Sequence, residues 1–326
     1  MFSQEAVFLC SNERGPSFGF LMQAASTVFL VRPARFSFNA ETAPSNSFQQ
    51  NLAALTPDAV QAQAFAEFDA AVAMLRAKGV HVLVFEDTPA PPKPDAVFPN
   101  NWLTLHPDGR VLLYPMCAPN RRHERRADIL EELGRQFRIT EVVDLSPHEQ
   151  EGRFLEGTGS ILFDHVHRVA YACLSPRTHA ALFAEVAATL GYRSVAFHAN
   201  DQQGHAIYHT NVMMCIGARF AVVCLASITD AQERATVAAS LVGTGHELVD
   251  ITPEQVAHFA GNMLTLRVAT TELLVLSQQA FEALTAAQRQ TLGRYGELVP
   301  LAIPTIETIG GGSARCMLAE VFLPRL

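Results

Sequence analysis

The sequence predicts an α/β protein in which five ββαβ modules close into a propeller-like ring with pseudo-fivefold symmetry. Three observations predict it. Strand pairs recur along the chain, each followed by an apolar pattern at helical spacing and then one more strand, at a period of about fifty residues. Two strands precede each helix, whereas a doubly wound parallel sheet alternates strands and helices singly. The helices themselves exclude an all-β propeller.

The elements follow in order. Thr27 to Val31 is a β-branched and aromatic run stopped by Arg32-Pro33. A polar loop from Asn39 to Gln50 leads to Pro57, which opens a helix carrying Val60, Ala64, Phe68, Val72 and Leu75 at helical spacing until Gly79 ends it. Strand Val80 to Phe85 and the stiff connection Pro89 to Pro94 complete this first, less regular module. The second has hairpin strands Asn101 to Leu105 and Val111 to Tyr114 around His106-Pro107-Asp108-Gly109, then helix Arg125 to Gln136 and strand Glu141 to Leu145. The third has Ser160 to Phe163, Arg168 to Cys173, helix His179 to Leu190 and Ser194 to Phe197. The fourth has Asn211 to Ile216, Phe220 to Leu225, helix Asp230 to Leu241 and Glu247 to Ile251. The fifth has Met263 to Val268, Glu272 to Leu276, helix Gln279 to Leu292 and Glu297 to Leu301, and Met317 to Leu323 is a closing strand.

Composition narrows the function. With 326 residues, 49% hydrophobic and 17% charged, the chain can bury a large core. Residues 1–21 read as a disordered extension with Met22 as the natural start, which leaves residues 22–326 as a single α/β-propeller domain. No apolar run reaches the roughly 18 residues of a membrane span. The net charge of -8, with basic residues grouped only at Arg121-Arg122 and Arg125-Arg126, argues against nucleic acid. Six scattered cysteines without a CxxC pair fit free thiols in a reducing cytoplasm and no zinc site. His165-Val166-His167 reads as a surface turn and Met213-Met214-Cys215 as an apolar strand core.

The chemistry gathers at Gly310-Gly311-Gly312-Ser313-Ala314-Arg315-Cys316. A glycine-rich turn delivering one cysteine to a closing strand can hold a thiol at a pocket mouth. Polar residues occupy equivalent places at the start of the modules' first strands: Asn100-Asn101, Glu156, His209 with Asn211, and Asn262. In a ring these converge on one end of the axis, bringing together the thiol, imidazole and carboxylate that a cysteine nucleophile requires. Singly, each also fits a plain structural role: Cys316 as a buried thiol, Glu156 as a cap, His209 as a core imidazole.

Four segments decide between these readings. Asp95-Ala96-Val97-Phe98-Pro99-Asn100-Asn101, Leu155-Glu156-Gly157-Thr158-Gly159, Tyr208-His209-Thr210-Asn211 and the GGGSARC end resemble the guanidino-group-modifying, or pentein, superfamily. Its members include arginine deiminases, dimethylarginine dimethylaminohydrolases and amidinotransferases, and the likeness is greatest to citrulline utilization hydrolases. The resemblance implies the five-bladed fold, Cys316 as nucleophile, His209 as acid and base, and Glu156 as the acidic partner. It also implies substrate contacts from Asp95, Phe98, Asn100, Asn101 and Asn211, with Arg122 and Arg177 as binders of an α-carboxylate. Arg35, Asn39 and Asn46 lie on a loop able to close over the pocket. No cofactor or metal is implied, and a homodimer is compatible with the family.

The departures from the family carry the substrate argument. Guanidinium-processing relatives have aspartate where this chain has Asn101, and arginine deiminases have aspartate where it has Asn211. A guanidinium cation pairs with carboxylates, whereas a neutral ureido group matches an amide's donor and acceptor. Citrulline, hydrolysed to ornithine, ammonia and carbon dioxide, is therefore the expected substrate. Because it brings no positive charge, a His209–Cys316 ion pair is expected before it binds. Arginine deimination or amidino transfer is the alternative reaction, and a non-catalytic amino-acid-binding protein is the alternative from outside enzymology.

Overall fold

A computed structural model describes residues 22–51 and 56–326. The extension expected over residues 1–21, and with it the choice of start, lies outside the described residues. Among those described, the strands form five three-stranded sheets on one plan. A middle strand pairs antiparallel with one neighbour and parallel with the other.

In the first sheet, Thr27–Arg32 lies between Ala319–Glu320 and the parallel His81–Glu86. The second is Leu103–Leu105, Arg110–Leu113 and Glu141–Asp144; the third is Leu162–Asp164, Val169–Cys173 and Arg193–Phe197. The fourth is Met214–Ile216, Phe220–Val223 and Glu247–Asp250; the fifth is Leu264–Val268, Thr271–Ser277 and Glu297–Leu301. A parallel pair needs a long crossover, and each of these sheets places its helix there. Pro57–Ala77, Ala127–Gly134, Ala180–Thr189 and Ala231–Gly243 fill this role in the first four.

The long helix shows why it docks. Val60, Ala64, Phe68, Val72 and Leu75 are all buried, as their spacing predicts, and Thr56 caps its start through Ala59 N. Each large apolar side chain so buried contributes about 2 kcal/mol. The antiparallel edge strands of successive sheets lie side by side: Met214–Ile216 touches both Leu162–Asp164 and Leu264–Val268, and Ala319–Glu320 touches Leu103–Leu105. Isolated bridges join Leu105 to Val321 and Ala25 to Leu266. The cavity described below sits at the N-terminal mouths of these inner strands.

Three local expectations are corrected. The helix expected over Gln279 to Leu292 is two, Gln278–Ala283 and Ala286–Gly293, because Thr285 and Gln288 form a capping box that restarts the chain after an extended Leu284. The inner strands begin later than expected, since helical turns precede them at Pro99–Asn101, Gly157–Ser160, Thr210–Met213 and Ala314–Met317. Cys316 therefore sits in a helical turn and not on a strand. His165 is buried rather than on the surface, with Nδ1 2.7 Å from Tyr192 Oη and its ring stacked on Phe163.

Met213, Met214 and Cys215 are buried, and the five described cysteines are free. No described helix is long and apolar enough to cross a membrane.

Candidate active site

The helical turns meet at one place. Gly157–Ser160 packs against both Pro99–Asn101 and Thr210–Met213, and Ala314–Met317 packs against Pro99–Asn101. Glycine makes this approach feasible. A Cβ on Gly157, whose φ is +47°, would lie 2.3 Å from the Asn100 carbonyl, and one on Gly159 would lie 2.5 Å from Asn101 Nδ2 and 2.6 Å from His209 Nδ1.

The junction brings Cys316, His209 and Glu156 together, all 2% exposed or less. Glu156 caps nothing with its side chain; Oε2 lies 2.8 Å from His209 Nε2 and Oε1 accepts from Cys117 N at 2.9 Å. Burial alone would raise its pKa, but Arg177 at 3.6 Å, the His209 bond and Arg121 at 3.9 Å outweigh that and hold the carboxyl well below the usual range. Burial pushes His209 down to about 4, with Arg177 and Arg121 adding to the effect and Glu156 opposing it. The ring is therefore neutral at pH 7, donates from Nε2 to Glu156 and leaves Nδ1 as a base.

This differs from the expected His209–Cys316 ion pair. The hydrogen bond of the ring runs to Glu156, and desolvation disfavours the imidazolium that such a pair requires. Cys316 Sγ accepts instead from two neutral amides, Asn211 Nδ2 at 3.4 Å and Asn262 Nδ2 at 3.3 Å. Asn262 also accepts from Arg315 N, so it holds the turn that carries Cys316 from both sides.

Arg121 is the residue that sequence reading missed. It is 2% exposed and makes paired 2.8 Å bonds to Glu124, while Nη1 donates to Asn101 Oδ1 at 2.9 Å. Arg122, expected to bind an α-carboxylate, lies outside the cavity lining and pairs with Glu149 at 3.3 Å, because the 3-10 turn Pro119–Glu124 turns its neighbour inward. The spacing of Arg121 to Glu124, one helical turn, is the sequence signal that distinguishes the two. Arg177 lines the cavity, but Nε and Nη2 are engaged by Ser45 Oγ and the Thr42 carbonyl.

The remaining candidates divide. Phe98 lines the cavity as a wall against Gly310 and Gly312. Asp95 Oδ2 accepts from Asn39 Nδ2 at 2.8 Å; burial raises its pKa, against the pull of Arg121 and Asn39. Asn100 is not in the lining and donates to Thr158 Oγ1 at 3.2 Å. Asn46 lines the cavity and donates to the Gly311 carbonyl, whereas Arg35 is exposed. Tyr208, a further wall residue, also donates to that carbonyl.

Several buried atoms in and around the cavity have no protein partner. They are Asp95 Oδ1 and Asn101 Nδ2 in the lining, and Asn100 Oδ1 and Asn211 Oδ1 just outside it. Elsewhere, Asp164, His167 and His246 bring possible ligand atoms within 4.8 Å of one another. Both His246 nitrogens have protein partners, Nδ1 with Thr244 Oγ1 at 2.9 Å and Nε2 with the Gly217 carbonyl at 3.1 Å.

Comparison with known proteins gives the family and the fold. The family model described as N,N dimethylarginine dimethylhydrolase, eukaryotic, matches residues 32–323. No curated protein matches the chain. Among solved structures, the substrate-bound N-terminal domain of ArgZ, a cyanobacterial arginine dihydrolase, is 17% identical with a TM-score of 0.70, covering 92% of this chain and 99% of that one. Unliganded AgrE is 17% identical with a TM-score of 0.71 and covers 91% of this chain, which spans 39% of AgrE. A dimethylarginine dimethylaminohydrolase variant, captured as an adduct with S-methyl-L-thiocitrulline, is 14% identical with a TM-score of 0.60, covering 91% and 99%. These likenesses show a shared fold. The chain belongs to the N,N dimethylarginine dimethylhydrolase family of the guanidino-group-modifying, or pentein, superfamily of hydrolases.

Proposed function

We propose that the five sheets are the blades of a closed propeller and that the cavity at its mouth hydrolyses the C–N bond of a ureido amino acid, citrulline foremost. One observation carries the substrate choice. Arg121 occupies the oxygen of Asn101, so the amide presents its unpaired Nδ2 as a donor. A ureido carbonyl can satisfy that donor, and ureido N–H groups can satisfy Asp95 Oδ1 and Asn211 Oδ1. A guanidinium, which has donors only, leaves Asn101 Nδ2 unmatched.

In the proposed reaction, neutral His209 takes the thiol proton at Nδ1 as Cys316 Sγ bonds to the ureido carbon. The C–N bond then breaks, and the imidazolium, stabilised by Glu156, returns the proton to the departing nitrogen. Water deprotonated by His209 attacks the thiocarbamoyl carbon; the C–S bond breaks, Cys316 takes back the proton from His209, and the carbamic acid released loses carbon dioxide to free the second nitrogen. The sum is citrulline plus water to ornithine, ammonia and carbon dioxide. Arg177 is the proposed anchor of the α-carboxylate, which would take over the donors now held by residues 42 and 45. The cavity encloses only about 10 Å³ of free space, so residues 39–50 must shift to admit an amino acid. The site is read as that of a small-molecule enzyme working in the cytoplasm.

A second reading has a specific observation in its favour. Asp95 keeps a carboxylate oxygen unpaired at the cavity, and a guanidinium is its natural partner. ArgZ is an arginine dihydrolase, and an AgrE variant is known in complex with L-arginine. On this reading arginine enters first and its ureido product is hydrolysed further in the same cavity. Incubation with L-citrulline and, separately, L-arginine tests both. Ornithine from citrulline and none from arginine, abolished in Cys316→Ala, supports the proposal; ornithine from arginine as well as from citrulline favours the second reading, and none from citrulline contradicts the proposal.

A further inference from the structure

Helix Pro304–Gly310 ends at the glycine run that carries Cys316, and one carboxyl ties the two together. Glu307 accepts from Ser313 Oγ at 2.5 Å and from Gln279 Nε2 at 2.6 Å, and its carbonyl accepts from Gly311 N at 2.8 Å. Ser313 is fully buried and immediately precedes the turn Ala314–Met317; its own carbonyl accepts from Cys316 N at 2.9 Å. A continuous path of bonds thus runs from the carboxyl to the nucleophile's backbone. The mechanism above does not use this carboxyl.

No cation pairs with Glu307 among the described residues. The charged group acting on it is Glu67 of helix Pro57–Ala77, whose oxygens accept from Thr305 N and Ile306 N. Gln279 separates it from His258, whose Nδ1 lies 3.4 Å from Gln279 Oε1. Ser277 and Ser313 supply hydroxyls, and Asp201 stands on the wall of an outer cavity of 250 Å³ that Glu307 also lines. That cavity gives a buried carboxyl a route for exchanging its proton with solvent.

We propose, resting on Cys316 as the nucleophile, that Glu307 is a positioning residue whose carboxylate holds Ser313, and through it the Cys316 turn, in place for attack. Burial, with Glu67 adding to it, pushes the carboxyl up to about 7 against the hydrogen bonds of Ser277, Ser313 and Gln279. Above that pH the carboxylate only accepts, and Ser313 donates to it. Below it the protonated carboxyl carries a donor of its own and the charge-assisted bond is lost. Turnover therefore rises as pH climbs through about 7, an inflection separate from that of His209 near 4. A displacement of about 1 Å at a nucleophile is enough to cost up to roughly a hundredfold.

The test compares the wild-type protein with Glu307→Gln, which keeps size but, like the protonated carboxyl, carries a donor in place of the charge and does not titrate, and with Ser313→Ala, which cuts the path while keeping Glu307. The wild type should show the kcat inflection near 7, and both variants should lose it with KM unchanged within about twofold. Iodoacetamide labelling gives a readout free of any substrate. The ratio of wild-type to Glu307→Gln rates at Cys316 should change severalfold between about pH 6 and 8, while buried Cys173 and Cys215 stay protected as a control for folding. An inflection that survives in both variants, or a labelling ratio constant across that range, overturns the proposal. Cys316→Ala separates the two layers of argument. If it retains turnover, the nucleophile assignment and this inference fall together; if it is inactive while the inflection survives in Glu307→Gln, this inference alone falls.

Discussion

The two sides of the cavity differ in kind. Around the sulfur of Cys316 the hydrogen bonds come from the neutral amides of Asn211 and Asn262, whereas around the imidazole of His209 stand Glu156, Arg121 and Arg177. Charge is concentrated around the imidazole, where the proposed reaction delivers a proton, and neutral amides surround the sulfur. The contrast means that, in the proposed reaction, the charged groups serve the imidazole while the neutral amides serve to place the sulfur. Glu156 and the two arginines balance one another, so that the ring is neutral at rest yet supported when it becomes cationic.

The strongest way to break this contrast is to remove one side. Cys316→Ala or His209→Ala should lower turnover by about 10⁴-fold or more, whereas Glu156→Gln should cost about 10² to 10³-fold by leaving the imidazolium unsupported; steady-state kinetics on citrulline read all three. A Glu156→Gln enzyme within a fewfold of wild type would contradict the division of roles. Next in size, Asn101→Asp puts a carboxylate where a ureido oxygen is proposed to sit and should raise KM for citrulline by about 10²-fold, measured beside arginine. Arg121 would pair with the new carboxylate, so stability should hold while specificity moves.

The pH response sharpens the same picture. Neutral His209 is needed as the base, so the acid limb of kcat/KM should fall through about 4. Stability is linked with a definite sign. The unfolded ring binds a proton below 6.5 that the folded ring refuses until about 4, so stability is lost as pH falls through this window. Buried His106, at about 4, and His165, at about 3, act in the same direction. Glu307 opposes them between 4.5 and about 7, because there the folded state holds the extra proton. Glu156 adds to the loss below 4.5, so urea midpoints should fall most steeply there. The smallest effect is expected for Arg122→Ala, whose turnover should stay within about twofold of wild type, since its partner is Glu149 outside the cavity lining.

Much of the plan was legible because it repeats. The apolar stripe from Val60 to Leu75 and the paired strands before each helix are periodic signals, and the helices and sheets lie where those signals put them. What was not legible depends on a single turn. Nothing in the periodicity separates a strand start from the helical turns that hold Asn101, Glu156, His209 and Cys316 at its mouth, where glycine contacts decide the backbone. The choice between Arg121 and Arg122 rests on which way one 3-10 turn faces, for which the Arg121 to Glu124 spacing is the one signal in the sequence, and the state of His209 rests on burial that sequence does not display. Asn101 and Asn211 were visible as departures from the family pattern, but the pinning of the Asn101 amide by Arg121 was not.

The central claim is a covalent ureido carbon on Cys316, relayed by His209. It is tested most directly by mixing the enzyme with citrulline carrying a labelled ureido carbon, quenching in acid within the first turnovers and mapping the label by peptide mass spectrometry. The account predicts label on the peptide containing Cys316 in the wild type, chased away as ornithine forms, and no label in Cys316→Ala. Ornithine production with no label on Cys316 at any time would contradict it.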